Sequence, residues 1–331
     1  MTEIIILNST STYLHLGSYL TMLGLKKLIN SLNANIIFEH EVNNYDFSDV
    51  IEVYNRSNKP LIIVNGEGTF HDDQSFAKEI LEVLDENKMS FIILNAQFRN
   101  MSDKYINIVK TSKLLQVRTQ KDYNYCKGKG LENLLYCPDM LFFSGVSEIN
   151  EIDVFDEILF TDSHVEKASA AIINKFLEKS KFKKKWINIH FRETCSLSFY
   201  ESFKLRILHK INNKIDKLNT RKQLSVLNNL NKMNFSKTLF AFMNSKLIIT
   251  GRYHAACLGI LLKKPVLYTY SNTSKIKDVC MDFNWGEELN QKNYDCLFEK
   301  NSKNIKKINK ENIFLMKEKY NYLKDYLNNI I

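Results

Sequence analysis

The chain has 331 residues, of which 44% are hydrophobic and 25% are charged, and this composition excludes a disordered or fibrous protein. Only 10 glycines and 3 prolines occur, so collagen-like and proline-rich sequences are excluded too, and the length predicts two domains. Lysines and arginines number 46 against 37 acidic residues, which gives a net charge of +9.

The first half of the chain repeats one pattern, in which a short apolar run is followed by a turn and then by helical spacing of apolar residues. This alternation predicts parallel strands joined by crossover helices. Helical spacing is clearest over residues 18–31 and 76–84. The predicted strands of this half span residues 4–7, 34–38, 61–64, 91–94 and 114–118.

A turn bracketed by two glycines follows the third predicted strand. Glycine lets the backbone approach a ligand closely, and successive N–H groups in such a turn can bind an anion. Glu67 stands between the two glycines and is predicted to face the mouth of a cleft. The alternative is a tight strand-to-helix turn whose helix is capped by Asp72 or Asp73. The candidate site residues here are Asn65, Gly66, Glu67, Gly68, Thr69 and Asp72.

Two segments at the end of the first half are predicted to be structural. Thr119 has the position of a helix cap, and Asp122 stands three residues later, the spacing of a capping box. Pro138 fixes the turn before Asp139. We therefore interpret this region, including Arg118, as architecture that closes the first domain.

An acidic and weakly periodic segment at 145–155 separates the first series of elements from a second one. It places the predicted domain boundary near residue 150, between an N-terminal domain at 1–150 and a C-terminal domain at 151–331. The second domain is predicted to contain strands at 186–190, 246–249 and 266–270, and helices near 165–180, 200–232, 235–244, 253–263 and 311–329. The fold class is therefore α/β, with two Rossmann-like domains and a C-terminal helix, and ligands are expected beyond the carboxyl ends of the strands.

Cationic residues follow the predicted strands of the second domain. Gly251, Arg252 and His254 stand at the start of a helix, where backbone N–H groups and the helix dipole favour an anion. Arg192 and Lys275 follow two other strands, and a guanidinium grips a carboxylate or phosphate with two N–H groups. The sequence predicts that these side chains share one anion site. The alternative for Arg252 is a structural pair with a buried acid.

The remaining features bear on partners and location. Six cysteines are spread singly, which predicts reduced thiols and no metal site. No apolar stretch is long enough to span a bilayer and the N-terminus has no signal-peptide pattern, so the protein is predicted to be cytoplasmic. Basic runs at 179–186, 206–223 and 300–310 predict either a solvated lysine face or contact with an anionic surface.

The order and the residues of these motifs resemble those of the polysaccharide pyruvyl transferase family over most of the chain. The most specific match begins Thr250-Gly-Arg-Tyr-His-Ala-Ala-Cys-Leu-Gly and is followed by Tyr270-Ser-Asn-Thr-Ser-Lys275-Ile. The turn Asn65-Gly-Glu-Gly-Thr69 is the next most specific. The resemblance implies a two-domain fold similar to GT-B glycosyltransferases, in which the first domain holds the acceptor and the second holds the donor.

The activity that the resemblance implies is transfer of the enolpyruvyl group of phosphoenolpyruvate to sugar hydroxyls, as a ketal and without a further cofactor. Arg192, Arg252 and His254 map onto the family's donor-binding positions, and Lys275 would add a charge for the phosphate. The acceptor, a sugar or a lipid-linked oligosaccharide, would lie at the glycine-bracketed turn. We predict His254 for proton transfer, and Glu67 or Asp72 as the base for the acceptor.

Two departures from the family pattern lie in the first domain and bear on the acceptor. His15-Leu-Gly17-Ser18 stands where the family has a Gly-Asp pair, and Thr119 replaces the Asp of an Arg-Asp pair. One alternative function is a GT-B-fold glycosyltransferase with a nucleotide-sugar donor. Another is a binding protein without catalysis, docked through its lysines. Peripheral contact with an anionic membrane at its inner face is a predicted partner interaction, and nucleic acid is not.

Overall fold

The computed structural model describes residues 1–13, 15–68, 70–146, 157–163, 173, 183–187, 189, 235–271, 273–290 and 310–331. Thr69 and Arg192, both predicted site residues, lie outside the described residues, as do most of the three basic runs. The helices predicted near 165–180 and 200–232 fall almost entirely in the same gaps. None of the described helices is long and apolar enough to cross a bilayer.

The first sheet has six parallel strands in the order β2-β1-β3-β4-β5-β6. Its strands are β1 Glu3–Ser9, β2 Asn35–Glu41, β3 Leu61–Asn65, β4 Phe91–Ala96, β5 Leu114–Val117 and β6 Leu134–Tyr136. The crossover helices are α1 Leu16–Ser31, α2 Ser48–Arg56, α3 Ser75–Glu86, α4 Asp103–Lys110 and α5 Gln120–Gly128. The five strands predicted in this half are confirmed, and the short strand β6 is an addition.

The strands are all parallel, but the order in which the chain adds them to the sheet changes direction at β1. β2 lies on one side of β1, and β3 lies on the other. The loops that follow β1 and β3 therefore lead to opposite faces of the sheet and leave a crevice between them. Thr10 follows β1, and Glu67 follows β3. Glu67 is thus placed at the point where ligands bind in doubly wound sheets.

The second sheet has five parallel strands in the order β11-β10-β9-β7-β8. The strands are β7 Glu157–Ser163, β8 Lys183–Trp186, β9 Leu247–Gly251, β10 Val266–Tyr268 and β11 Glu287–Glu288. Residues 235–244 are helical, followed by α6 Tyr253–Leu261 and α7 Lys275–Asp282. The same reversal occurs between β7 and β9, so Arg252, which follows β9, lies at the crevice of the second sheet.

Two predictions for the second sheet are wrong in detail. The strand predicted at 186–190 is observed earlier in the chain, as β8 at Lys183–Trp186, and neither β7 nor the two-residue β11 was predicted. β8 is an edge strand of three exposed lysines and a tryptophan, a composition that protects sheet edges but lacks the alternation of a typical strand. The sequence after β8 is more apolar than β8 itself, and for this reason the strand was predicted too late in the chain.

The two halves of the chain pack on one another at two places. The C-terminal helix α8 Lys310–Asn328 buries Leu323 and Leu327 against the core of the first sheet, although it follows the second sheet in the chain. Leu16 and Leu20 of α1 lie in the hydrophobic cluster of the second domain. Their contacts bring the start of α1 against the start of α6, where two of the predicted site residues, Glu67 and His254, meet.

Candidate active site at the domain contact

Glu67 lies buried at the crevice of the first sheet, held by hydroxyl groups. Ser18 Oγ donates to Glu67 Oε1 at 2.6 Å, and Thr10 Oγ1 donates to Oε2 at 3.1 Å. Ser18 stands where the family pattern has the Asp of its Gly-Asp pair. The carboxyl group of Glu67 lies beside Ser18. His15 caps α1 by accepting from the Ser18 backbone N–H at 3.1 Å, which fixes the helix start.

The pKa of Glu67 is raised above that of an ordinary glutamate. Burial is the main cause, because it disfavours the charged carboxylate, and the nearby negative charge of Asp139 adds to it. The hydrogen bonds from Ser18 and Thr10 and the charge of Arg118 act in the opposite direction without overcoming these effects. Glu67 therefore keeps its proton to a higher pH than an ordinary glutamate does.

His254, in the first turn of α6, meets Glu67 across the domain contact. Its Nε2 atom lies 3.4 Å from Glu67 Oε1 and 3.8 Å from Asp139 Oδ2. Its ring also packs edge to face on His15, with ring centroids 5.2 Å apart. Gly17 makes this approach possible, since a Cβ atom at that position would lie 2.2 Å from His254 Cβ.

Arg118 and Asp139, interpreted from sequence as architecture, adjoin this pair. They form a buried ion pair, with Arg118 Nη1 donating to Asp139 Oδ2 at 2.9 Å. The Arg118 guanidinium also lies over the Tyr253 ring, 4.4 Å from its centroid. Arg118 immediately follows β5 and Asp139 stands three residues after the end of β6. The strand-end rule that selected Glu67 would therefore have selected them as well. The predicted cap of α5 by Thr119 is confirmed, since Thr119 Oγ1 accepts from Asp122 N at 3.1 Å.

Lys275, the first residue of α7, lies among cations. Burial and the charges of Arg118, Arg252 and Arg99 lower the pKa of Lys275 to about 8, while Glu67 acts in the opposite direction. Arg118 and Arg99 belong to the first domain, and Arg252 to the second. The structure therefore gathers like charges from both domains at one place, an arrangement that a bound anion would relieve.

The other predicted residues of the glycine-bracketed turn serve its shape. The Asn65 amide donates to Asn8 O at 3.2 Å and ties the ends of β1 and β3 together. Gly66 packs on Ala96, where a Cβ atom would come within 2.6 Å of its Cα. Gly68 has a φ of 71°, which favours glycine. Their contact with an acceptor stays a prediction.

Asp72 lies apart from Glu67, in the part of the same loop that meets the end of β4. Its carboxylate contacts His71 Nδ1 at 2.7 Å and accepts from Asn100 Nδ2 at 2.8 Å. The hydrogen bonds from Asn100 and His71 lower the pKa of Asp72. Neither Asp72 nor Asp73 caps the following helix, whose first flanking residue is Gln74.

The site therefore combines a carboxyl group with a raised pKa, an adjacent imidazole and a set of cations. Glu67 and His254 can exchange a proton because their polar atoms lie near hydrogen-bonding distance. Arg252 and Lys275 stand at the starts of two helices, whose dipoles add positive potential. This combination suits a reaction in which an anionic substrate is held while a proton moves.

Comparison with known proteins gives a family and a fold. The family model described as Polysaccharide pyruvyl transferase matches residues 15–273, most of the chain. A comparison with curated proteins finds no match.

Among solved structures, UDP-GlcNAc 2-epimerase from Methanocaldococcus jannaschii shares 15% identity at a TM-score of 0.52, covering 92% of this chain and 94% of that one. The co-structure of S. aureus MnaA with UDP shares 13% identity at a TM-score of 0.53, covering 90% of this chain and 87% of that one. Identities this low show the fold alone. The predicted fold class, two Rossmann-like domains in a GT-B-like arrangement with a C-terminal helix, is confirmed.

Proposed function

Because the chain belongs to the polysaccharide pyruvyl transferase family, we propose that it transfers the enolpyruvyl group of phosphoenolpyruvate to sugar hydroxyls of a surface polysaccharide or its precursor. The product is a pyruvate ketal, in which one carbon carries two sugar oxygens. One observation carries the proposal within the site: the charges of arginines from both domains, and of Glu67 in the Glu67–His254 pair, act on Lys275.

Phosphoenolpyruvate fits such a site because its carboxylate and phosphate lie a few bonds apart. Arg252 can hold one of them with two N–H groups, and Lys275 supplies a point charge for the other. Arg118 is neutralised in part by its ion pair with Asp139. It therefore contributes to the positive electrostatic potential of the site more than to direct contact with the donor. The sequence also assigns Arg192 to the donor, and this assignment stays a prediction.

The reaction needs a proton at the methylene carbon of phosphoenolpyruvate. Glu67 carries a proton to a higher pH than an ordinary glutamate, since its pKa is raised, and His254 lies at 3.4 Å to relay it. Protonation makes C2 electrophilic, and the first sugar hydroxyl adds there while its proton returns to the pair. The C2–O bond to phosphate then breaks, and the second hydroxyl adds to C2 as its proton leaves with phosphate. The Glu67–His254 pair thus acts first as acid and then as base.

The proposed function is tested by incubating the protein with phosphoenolpyruvate and a panel of nucleotide-linked, lipid-linked and free sugars. We expect phosphate release only with an acceptor, and a product whose mass corresponds to the sugar carrying a pyruvate ketal. With phosphoenolpyruvate labelled by ¹⁸O at the bridging position, the label should leave in the phosphate because the C2–O bond breaks. An Arg252→Ala protein provides the control, since the loss of its guanidinium should abolish phosphate release without unfolding.

Two outcomes would reject the proposal. The first is thermal protection by a nucleotide sugar but not by phosphoenolpyruvate, together with sugar transfer, which would establish a GT-B glycosyltransferase. The second is the absence of turnover with every donor, combined with binding that weakens steeply as salt rises, which would indicate a docking protein. A fully active Arg252→Ala protein would reject the anion clamp.

The pH dependence of donor use tests Lys275 in particular. Because the pKa of Lys275 is about 8, its charge is present below that pH and lost above it. We expect kcat/KM for phosphoenolpyruvate to fall as the pH rises through about 8, since kcat/KM reports groups of the free enzyme. Lys275→Arg should keep the plateau to higher pH, because arginine does not titrate there. Lys275→Gln should give a lower profile without the fall near pH 8, and a fall at pH 8 that persists in this variant would exclude Lys275 as its cause.

A further inference from the structure

Helix α7 belongs to the second domain in the chain but contacts the first domain at both ends. Near its start, Asp278 pairs with Arg99 Nη2 at 3.2 Å and with Lys121 Nζ at 3.6 Å. At its end, Asp282 accepts from the Gln120 backbone N–H at 2.9 Å. The acidic side chains of α7 thus meet cations and N–H donors of the first domain.

Arg99 is the centre of the contact at the start of α7. Within the first domain its Nε atom donates to Asp122 Oδ1 at 2.9 Å, which fixes the guanidinium. Across the contact its Nη1 atom donates to Ser274 Oγ at 2.9 Å. Ser274 in turn donates to Asp278 Oδ2 at 2.7 Å, so the cap residue and the first turn of α7 are held as one unit. Arg99 is 13% exposed and Asp278 5%, so these charges are well shielded from water.

Lys275 directly follows Ser274, so the place of Ser274 sets the place of Lys275. The charged groups that act on the pKa of Lys275 come from several elements. Arg118 follows β5, Glu67 follows β3, Arg99 follows β4, and Arg252 precedes α6. Three of these belong to the first domain. Lys275 therefore stands in the cation cluster only while α7 stays docked on the first domain.

We propose that Arg99 is a positioning residue: by binding Ser274 and Asp278 across the domain contact, it holds Lys275 in the anion site. The inference rests on the proposed function in one respect, the assignment of Lys275 to the donor. It adds that the donor site is complete only when the two domains are joined through this contact, so that Arg99 acts on donor binding without touching the donor.

The test changes the acidic partner, because replacing Arg99 would also remove a neighbouring cation. Asp278→Ala removes an anion close to Lys275, and by electrostatics alone this would lower the pKa of Lys275 further. Release of α7 has the opposite effect, since Lys275 would leave the cations and gain water. The pKa of Lys275 can be measured without any ligand, by isotope-coded acetylation at a series of pH values and mass spectrometry of its peptide.

We expect the pKa of Lys275 to rise by about one unit or more in Asp278→Ala, and the dissociation constant for phosphoenolpyruvate to increase at least roughly fivefold. Ser274→Ala, which changes no charge, should give a smaller rise in the same direction and serves if the first variant folds poorly. In a Lys275→Met background Asp278→Ala should no longer weaken binding. Glu82→Ala, which removes the partner of Lys104 within the first domain, is the matched control and should change neither quantity.

An unchanged or lowered pKa of Lys275 in both variants would overturn the inference, as would additive losses of affinity in the double variant. The labelling needs no donor, so the two proposals fail separately. If wild-type protein does not bind phosphoenolpyruvate, the proposed function fails, while a rise in the pKa of Lys275 would still support the role of Arg99.

Discussion

Replacing His254 with glutamine is expected to lower kcat by about 10² to 10⁴-fold, the usual effect of losing a positioned proton-transfer group. His254 Nε2 lies 3.4 Å from Glu67 Oε1, so in the proposed reaction the imidazole links Glu67 to the donor. Glutamine preserves polarity and approximate size but cannot relay a proton. Single-turnover release of phosphate measures the effect, and thermal unfolding verifies the fold.

Gly17→Ala moves the same ring without removing it. A Cβ atom at position 17 would lie 2.2 Å from His254 Cβ and 2.5 Å from Nδ1, so the start of α6 must shift and carry the imidazole with it. Helix propensity alone would favour alanine by about 1 kcal/mol. We nevertheless expect kcat to fall about 10²-fold, because displacement of a catalytic group by about 1 Å has this effect. Gly128→Ala, where a Cβ atom meets open space, is the matched control.

The outcome that would remove His254 from the mechanism is a His254→Gln protein with kcat close to that of the wild type. If Gly17→Ala alone retained full activity, the second domain would have to tolerate the displaced ring, and the domain contact would be less tightly defined than the distances indicate. A loss of both activity and folded protein in Gly17→Ala, with a normal Gly128→Ala, would show that the packing itself depends on Gly17.

Asp139→Ala is expected to have the largest effect on stability, lowering the free energy of unfolding by about 3 to 5 kcal/mol. Asp139 is fully buried and Arg118 is 2% exposed, so the variant leaves a buried guanidinium without its carboxylate. It also removes the acceptor for Thr21 Oγ1 at 3.0 Å and for the Leu141 N–H at 2.9 Å. Chemical denaturation measures the change.

The control for this prediction is an exposed pair of the same chemistry. Arg56 Nη1 lies 3.3 Å from Glu52 Oε1 with both side chains largely exposed, so Glu52→Ala should cost no more than about 1 kcal/mol. Asp139→Asn should fall between the two, because its amide oxygen can still accept the bonds from Thr21 and Leu141. Equal effects of Asp139→Ala and Glu52→Ala would show that the buried pair contributes nothing beyond a surface one.

Local pattern predicted the first domain well and the second domain less well. In the first sheet each central strand is a short apolar run between turn residues, and such runs are visible in the sequence because both faces of the sheet are covered. In the second sheet the edge strand β8 carries three successive lysines. Its sequence therefore lacks the alternation of apolar and polar residues that would distinguish a strand from a solvated loop. β7 lies just beyond the acidic segment that was interpreted as the domain boundary, and it was missed.

The candidate site divides in the same way. Four site residues could be selected from the sequence, because each follows a predicted strand and carries an ionisable side chain that packing does not require. They are Glu67, Arg252, His254 and Lys275. Arg118 and Asp139 also follow strands, but caps and a turn gave them a sufficient local explanation. Ser18 and Thr10 gave no signal, because a single hydroxyl group near a strand end is common and its role depends on what lies opposite.

The sequence by itself determined the two doubly wound halves, the strand ends that carry polar groups, and the sign of the charge after the strands of the second domain. Only the tertiary structure decided that Glu67 is buried beside His254, that Arg118 and Asp139 adjoin them, and that Arg99 holds the start of α7. Periodicity is a local property of the chain and records which face of an element is buried. Distances between residues far apart in sequence depend on tertiary packing, both within a domain and between domains. Burial and the charge of Asp139 in the first domain raise the pKa of Glu67, whereas burial and the cations of both domains lower the pKa of Lys275.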